Sequence, residues 1–139
     1  MHITVIDGQG GQLGAQLVKE IIAKFPEVDL TAIGTNAVAT AAMLKAGAKN
    51  AATGENPVVV ACRKTDVIVG PIGIVIADSL LGEVTQQMAL AIARADATRI
   101  LIPLNKCDSL VAGVVNLHTG ALIADAISKL TALICSQKA

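Results

Sequence analysis

Short apolar runs alternate along the chain with stretches in which apolar residues recur at helical spacing. Ile3-Thr4-Val5-Ile6 reads as a β-branched strand running into Asp7, followed by Gly8-Gln9-Gly10-Gly11-Gln12-Leu13-Gly14. Leu13, Leu17, Val18, Ile21, Ile22 and Phe25 then share one helix face; Lys19, Glu20 and Lys24 lie on the other, and Pro26 ends the run. Val28 to Ile33 predicts a second strand ending at Gly34-Thr35-Asn36. Asn36 is a good N-cap for a helix from Ala37 to about Ala46, stopped by Gly47. Asn50 to Thr53 is a weak third strand. Asn56-Pro57 resembles an N-cap and first helical proline, for a short helix through Arg63 or Lys64, although Val58, Val59 and Val60 would also suit a strand. Asp66 to Val69 reads as a buried strand closed by Gly70-Pro71-Ile72-Gly73. Ile74 to Glu83 is ambiguous, and Val84, Met88 and Ile92 mark a helix face. Arg99 to Leu104 and Val111 to Val115 predict the fifth and sixth strands, and a last helix starts near Thr119.

This alternation predicts a single α/β domain over residues 1–139: a doubly wound, Rossmann-like parallel sheet in the strand order 3-2-1-4-5-6. Ligands in such sheets lie at the carboxyl ends of the strands. Here those tips are Gly8 to Gly14, Gly34 to Asn36, Thr53 to Asn56, and Gly70 to Gly73.

Composition sharpens the picture. Charged residues are 16% of the chain against roughly 25% in ordinary soluble domains, and hydrophobic residues are 53%. A sheet buried on both faces accounts for this, as does apolar surface buried between subunits, and both are expected. The formal net charge is +0, with no Trp or Tyr and one Phe. Neither a basic stripe nor a base-stacking platform is available, so nucleic acid is not an expected partner. The longest apolar run, Val67 to Leu81, is broken by Gly70, Pro71, Gly73 and Asp78, so no membrane segment is expected. The N-terminus lacks the features of a signal peptide. Cys62, Cys107 and Cys135 suit free thiols in a reducing cytoplasm, with Cys62 and Cys135 read as core thiols.

The glycine turn holds the strongest chemical signal. Gly8, Gly11 and Gly14 fit G-x-x-G-x-x-G, placed between a strand and an amphipathic helix. Glycines let a backbone approach a pyrophosphate, and the helix behind offers free N–H groups and the positive end of its dipole. The turn resembles the cofactor turn of extended short-chain dehydrogenases. The alternative is a tight turn whose glycines serve helix–sheet packing alone. At the second strand tip, where an acidic residue would hold the ribose of NAD, stand Gly34-Thr35-Asn36. Thr35 and Asn36 can hydrogen-bond a ribose or a base, and the missing acid leaves room for a mononucleotide. Gly70, Pro71, Ile72 and Gly73 would line the far side.

Catalytic signals are thin. The Tyr of short-chain dehydrogenases is absent. His118 reads as a surface or capping residue and His2 as a strand-edge residue. Asn105-Lys106-Cys107-Asp108 matches the guanine-reading motif N-K-x-D, but Gly14 is followed by Ala15 and Gln16 rather than the Lys and Ser/Thr that GTP hydrolysis needs. The cysteines and histidines lack metal-ligand spacing. Near the fourth strand tip, Glu83 is read as capping the following helix, while Asp78 and Ser79 are open to substrate contact or capping.

Val5-Ile6-Asp7-Gly8-Gln9-Gly10-Gly11, Gly34-Thr35-Asn36, Ala52-Thr53-Gly54-Glu55-Asn56, Gly70-Pro71-Ile72-Gly73 and Leu81-Gly82-Glu83 resemble segments of a family of short bacterial proteins, of Firmicutes type, known as a domain of unknown function. The resemblance supplies no activity; it implies a ligand site at the strand tips. The expectation is a cytoplasmic, homo-oligomeric module or sensor that binds NAD or another adenine nucleotide through Gly8 to Gly14, Gly34 to Asn36 and Gly70 to Gly73. Two rivals stand beside it. One is a small enzyme acting on a nucleotide or phosphorylated substrate, using Asp78, Asn105 or Lys106, with its site completed by a dimer partner. The other is an interaction protein with a vestigial site.

Overall fold

Strand residues of alternating parity enter two separate cores, which is why the strands are apolar throughout. In the computed structural model, which describes residues 1–104, 109–115 and 118–138, the strands are β1 (His2–Asp7), β2 (Asp29–Gly34), β3 (Asn50–Thr53), β4 (Val67–Pro71) and β5 (Thr98–Ile102). They form one parallel sheet in the order β3-β2-β1-β4-β5. The helices are α1 (Gln12–Lys24), α2 (Ala37–Lys45), α3 (Glu55–Ala61), α4 (Gln86–Arg94) and α5 (Thr119–Gln137).

Ile3, Val5, Ala32, Val67, Val69, Ile100 and Ile102 face α1, α2 and α5, meeting Leu17, Ile21, Met43, Leu122 and Leu130. Ile6, Ile33 and Ile68 face the other way, against Val58 of α3 and Met88 and Ile92 of α4. The chain is therefore doubly wound, and the strand order reverses between β1 and β4. In register, Val5 lies between Ala32 and Val69. The C-terminal ends of β1 and β4 thus flank the switch point, where open α/β sheets bind ligands.

The helix ends follow local chemistry. Asn36 Oδ1 accepts from the Ala39 N–H and caps α2, while Gly47 at φ 118° ends it as expected. Thr85 caps α4 through its hydroxyl. His118 caps α5, its Nδ1 accepting from the Ala121 N–H at 3.3 Å. Among the described residues α5 alone is long and apolar enough to cross a membrane. In the fold its stripe of Leu122, Ile123, Ala126, Ile127, Leu130 and Ile134 packs against the sheet.

Several expectations are corrected. The sixth strand does not form: Val111 to Val115 is broken by a turn in which Gly113 takes φ 83° and the Val114 N–H reaches back to the Val111 carbonyl. Among the described residues β5 is therefore an edge of the sheet. Asn56 is not a cap. Gly54, at φ 103°, precedes α3, which begins at Glu55 and ends at Ala61. Ile74 to Glu83 is a short 3₁₀ turn over Ile72–Val75 followed by a loop. Cys62 is buried but Cys135 is exposed, because it lies off the α5 face whose buried stripe ends at Ile134. His2 begins the central strand rather than an edge. Its Nδ1 meets Asp29 Oδ2 at 2.7 Å, at the opposite end of the sheet from the glycine turn.

Gly70 has a packing role: a Cβ there would collide with the Ile6 carbonyl oxygen, backbone of the neighbouring strand. Gly70→Ala is expected to lower unfolding free energy by about 1–3 kcal/mol, the usual cost of overpacking. Chemical denaturation checks this, and an unchanged midpoint would contradict the close approach of β4 to β1.

Candidate functional site

The turn after β1 is tied from beneath by Asp7. One carboxylate oxygen accepts from the Gly8 N–H at 2.8 Å and the other from the Gly14 N–H at 2.7 Å. Asp7 is 5% exposed. Burial pushes its pKa up; the two N–H donors oppose that rise, and the nearby Glu83 carboxylate adds to it. The Gly11 N–H closes the turn onto the Gly8 carbonyl at 2.9 Å. Gly11 itself takes φ 72° directly before α1.

The four glycines of the turn divide by role. A Cβ on Gly11 would lie 2.6 Å from Ala39 Cα, and one on Gly14 would lie 2.7 Å from Asp7 Cβ and Met43 Sδ. Those two let α1 pack on β1 and α2. A Cβ on Gly8 would lie 2.6 Å from Thr35 Oγ1 and 2.8 Å from Leu80 Cδ1, whereas nothing stands within 4 Å of one on Gly10. Gly10 alone of the four faces open space.

α1 has no side-chain cap from Gly11 and no acidic residue in its first turn. The N–H groups of Gly8, Gln9, Gly11 and Gly14 are taken. Those of Gly10, Gln12 and Leu13 have no partner among the described residues. They lie along a cavity of about 400 Å³ that is floored by residues 8–13 and walled by Pro71, Leu80, Leu104 and Thr119. Among the described residues no lysine or arginine lines it. An anion seated here would be held by backbone N–H groups and the helix dipole.

A second carboxylate reaches the turn from far along the chain. Glu83 Oε1 accepts from the Gln9 N–H at 2.9 Å, Thr35 Oγ1 at 2.8 Å and Asn36 Nδ2 at 2.5 Å. Asn36 Nδ2 also donates to the Gln9 carbonyl at 3.0 Å. Glu83 therefore joins the tips of β1 and β2 and does not cap α4, a role filled by Thr85. Its loop is bent into unusual backbone: Asp78, Leu80 and Leu81 have φ of 64°, 54° and 58°, and Gly82 has 87°. Partial burial of Glu83 favours the neutral acid, but the hydrogen bonds from Gln9, Asn36 and Thr35 outweigh it and hold the pKa below its ordinary value.

The structure thus brings together only part of the expected set. Gly8, Gln9, Gly10, Gly11, Gln12, Leu13 and Pro71 line the cavity. Gly14 lies beneath the turn. Gly34 packs against Thr40, and the side chains of Thr35 and Asn36 face Glu83. Gly70 and Gly73 are buried, and Ile72 lies outside the lining. Ser79 is buried with its hydroxyl donating to the Gly73 carbonyl, and Asp78 is exposed. Asn105, Lys106, Cys107 and Asp108 lie outside the described residues. No motif marks Leu80, Leu104 or Thr119 as a lining residue, and Glu83, expected as a helix cap, holds the turn instead. The helix-start signal at Thr119 was the one sequence cue for any of them, and no spacing relates residue 83 to residues 9 and 36. A larger groove of about 630 Å³ runs between β5 and α5, lined mostly by aliphatic side chains such as Ile100, Leu122 and Leu133 and away from the turn.

The Glu83 contacts carry a definite pH dependence. Because its folded pKa is depressed, the stabilisation is complete above the ordinary value of 4.5 and is lost as pH falls through the lowered folded value. Amide hydrogen exchange at Gln9 is expected to lose protection over that acidic range in the wild type. In Glu83→Ala, protection at Gln9 is expected to be low throughout. Equal protection in both proteins would contradict the contact.

No curated protein matches the chain significantly. One solved structure with a similar course is a dodecameric FMN-dependent UbiX-like decarboxylase from Escherichia coli O157:H7, 13% identical, with 94% of each chain covered and a TM-score of 0.45. The family model described as a domain of unknown function, DUF3842, matches residues 2–135, and the chain belongs to that family.

Proposed function

We propose that this chain is a nucleotide-binding module that seats a phosphate of an adenine nucleotide on the glycine turn. The supporting observation is that Gly10, Gln12 and Leu13, whose N–H groups have no partner among the described residues, line an open cavity at the switch point of the sheet. Switch point, helix N-terminus and ligand-sized cavity coincide there. The nucleoside would extend toward Pro71, Leu104 and Thr119. NAD and adenine mononucleotides share the phosphate contact and differ in what else must fit.

Binding without turnover is the favoured reading. Among the described residues the one titratable side chain lining the cavity is Asp7, and both its oxygens are engaged by backbone N–H groups. Asp78, a candidate for the enzyme reading, is exposed on the loop and absent from the lining. A reducing cytoplasm remains the compartment that suits the free thiols. A homo-oligomer would use the edge of β5 and its apolar groove, which accounts for the low content of charged residues.

The test is calorimetric titration with AMP and NAD, comparing wild type with Gly10→Asp. Gly10 has space for a side chain, so the variant should fold. Its carboxylate would stand where the phosphate binds, so affinity should fall at least tenfold. Unchanged affinity would remove the phosphate from the turn.

A further inference from the structure

The geometry points to the Leu80–Glu83 segment as a specificity element that restricts the site to a single nucleotide by filling one half of the switch-point crevice. The inference rests on the nucleotide reading above and deepens it. A dinucleotide laid across a glycine turn needs room on both sides: one nucleoside above the β1 and β4 tips, the other above the β1 and β2 tips. The first side is open, with about 400 Å³ of free volume.

The second side is occupied by the chain itself. At its mouth lies Gly8, where a single added Cβ would already stand 2.8 Å from Leu80 Cδ1, 2.6 Å from Thr35 Oγ1 and 3.2 Å from Glu83 Oε1. A ribose cannot enter where a methyl group does not fit. The donors that would welcome it are also used. The Gln9 N–H, Thr35 hydroxyl and Asn36 amide all converge on Glu83 Oε1. An ionised carboxylate at that point further disfavours a second phosphate.

The segment is built to stay in place. Leu80 is 6% exposed and packs with Ile6, Ile33 and Ile74. The Asp78 N–H donates to the Val84 carbonyl at 2.8 Å, the Val84 N–H to the Ser79 carbonyl at 3.2 Å, and the Glu83 N–H to the Leu80 carbonyl at 3.2 Å. Non-glycine residues at positive φ persist only where their surroundings over-determine them, and these bonds do so. The acid that dinucleotide-binding folds place at the end of β2 is here supplied from the loop after β4, and it closes that half of the crevice.

The experiment is titration of AMP and NAD into four folded proteins: wild type, Glu83→Gln, Glu83→Ala, and Leu80→Ala combined with Glu83→Ala. The readout is the ratio of the two dissociation constants. Wild type is expected to bind AMP at least tenfold tighter than NAD. Glu83→Gln keeps the volume and an accepting oxygen, so the preference should persist. Glu83→Ala should narrow the ratio, and the double variant should narrow it at least tenfold. Glu83 is half-exposed, so the single variant keeps the test available if the double variant does not fold. Wild type binding NAD as tightly as AMP, or a ratio that does not move in Glu83→Ala, would overturn the filter. Binding of neither nucleotide by any of the proteins would overturn the nucleotide reading itself, and the filter with it.

Discussion

The tie between Asp7 and the two ends of the glycine turn fixes what the rest of the site depends on. A strand delivers Asp7 to the switch point, and its carboxylate takes the Gly8 and Gly14 N–H groups. That bond pair sets the angle at which α1 leaves β1. Burying the carboxylate is unfavourable, and the two backbone donors offset much of that penalty. With the Gly14 N–H taken by Asp7, the N–H groups of Gly10, Gln12 and Leu13, which line the cavity, have no partner among the described residues. An amide in place of the acid would offer one accepting oxygen for two donors, so the turn depends on a carboxylate there.

Glu83 does for the outer side of the turn what Asp7 does for the inner side. Two carboxylates now flank a backbone that is proposed to bind an anion, with no cation among the described residues lining the cavity. Each carboxylate is neutralised locally by its own donors, and the N–H groups of Gly10, Gln12 and Leu13 are bonded to neither. The same arrangement would favour a single phosphate, such as the monoester of a nucleoside, over a chain of phosphates with its larger total negative charge.

Much of the fold was legible because its determinants are local. The stripe from Leu13 to Phe25 dictated α1, Asn36 and Thr119 marked helix starts, and Gly47 marked a stop. The alternation of elements gave the order of the first five strands. The sixth strand was misread because Val111 to Val115 is apolar enough for a strand while Gly113 bends it into a turn. The site was half legible. A glycine motif announces close backbone approach but not what approaches: at Gly11 and Gly14 it is α2 and Asp7, at Gly70 it is β1, and in the turn after β1 only Gly10 faces open space. Glu83 was invisible as a site residue because its partners lie 74, 48 and 47 residues away in sequence. Tertiary structure alone could assemble that contact.

The most direct test of the central claim is the change in backbone amide resonances as AMP is added to the labelled protein. The account predicts that the Gly10, Gln12 and Leu13 amides move most, while those of Gly8 and Gly14, already bound to Asp7, move little. Shifts concentrated instead along β5 and α5, or none at all under saturating AMP, would contradict it.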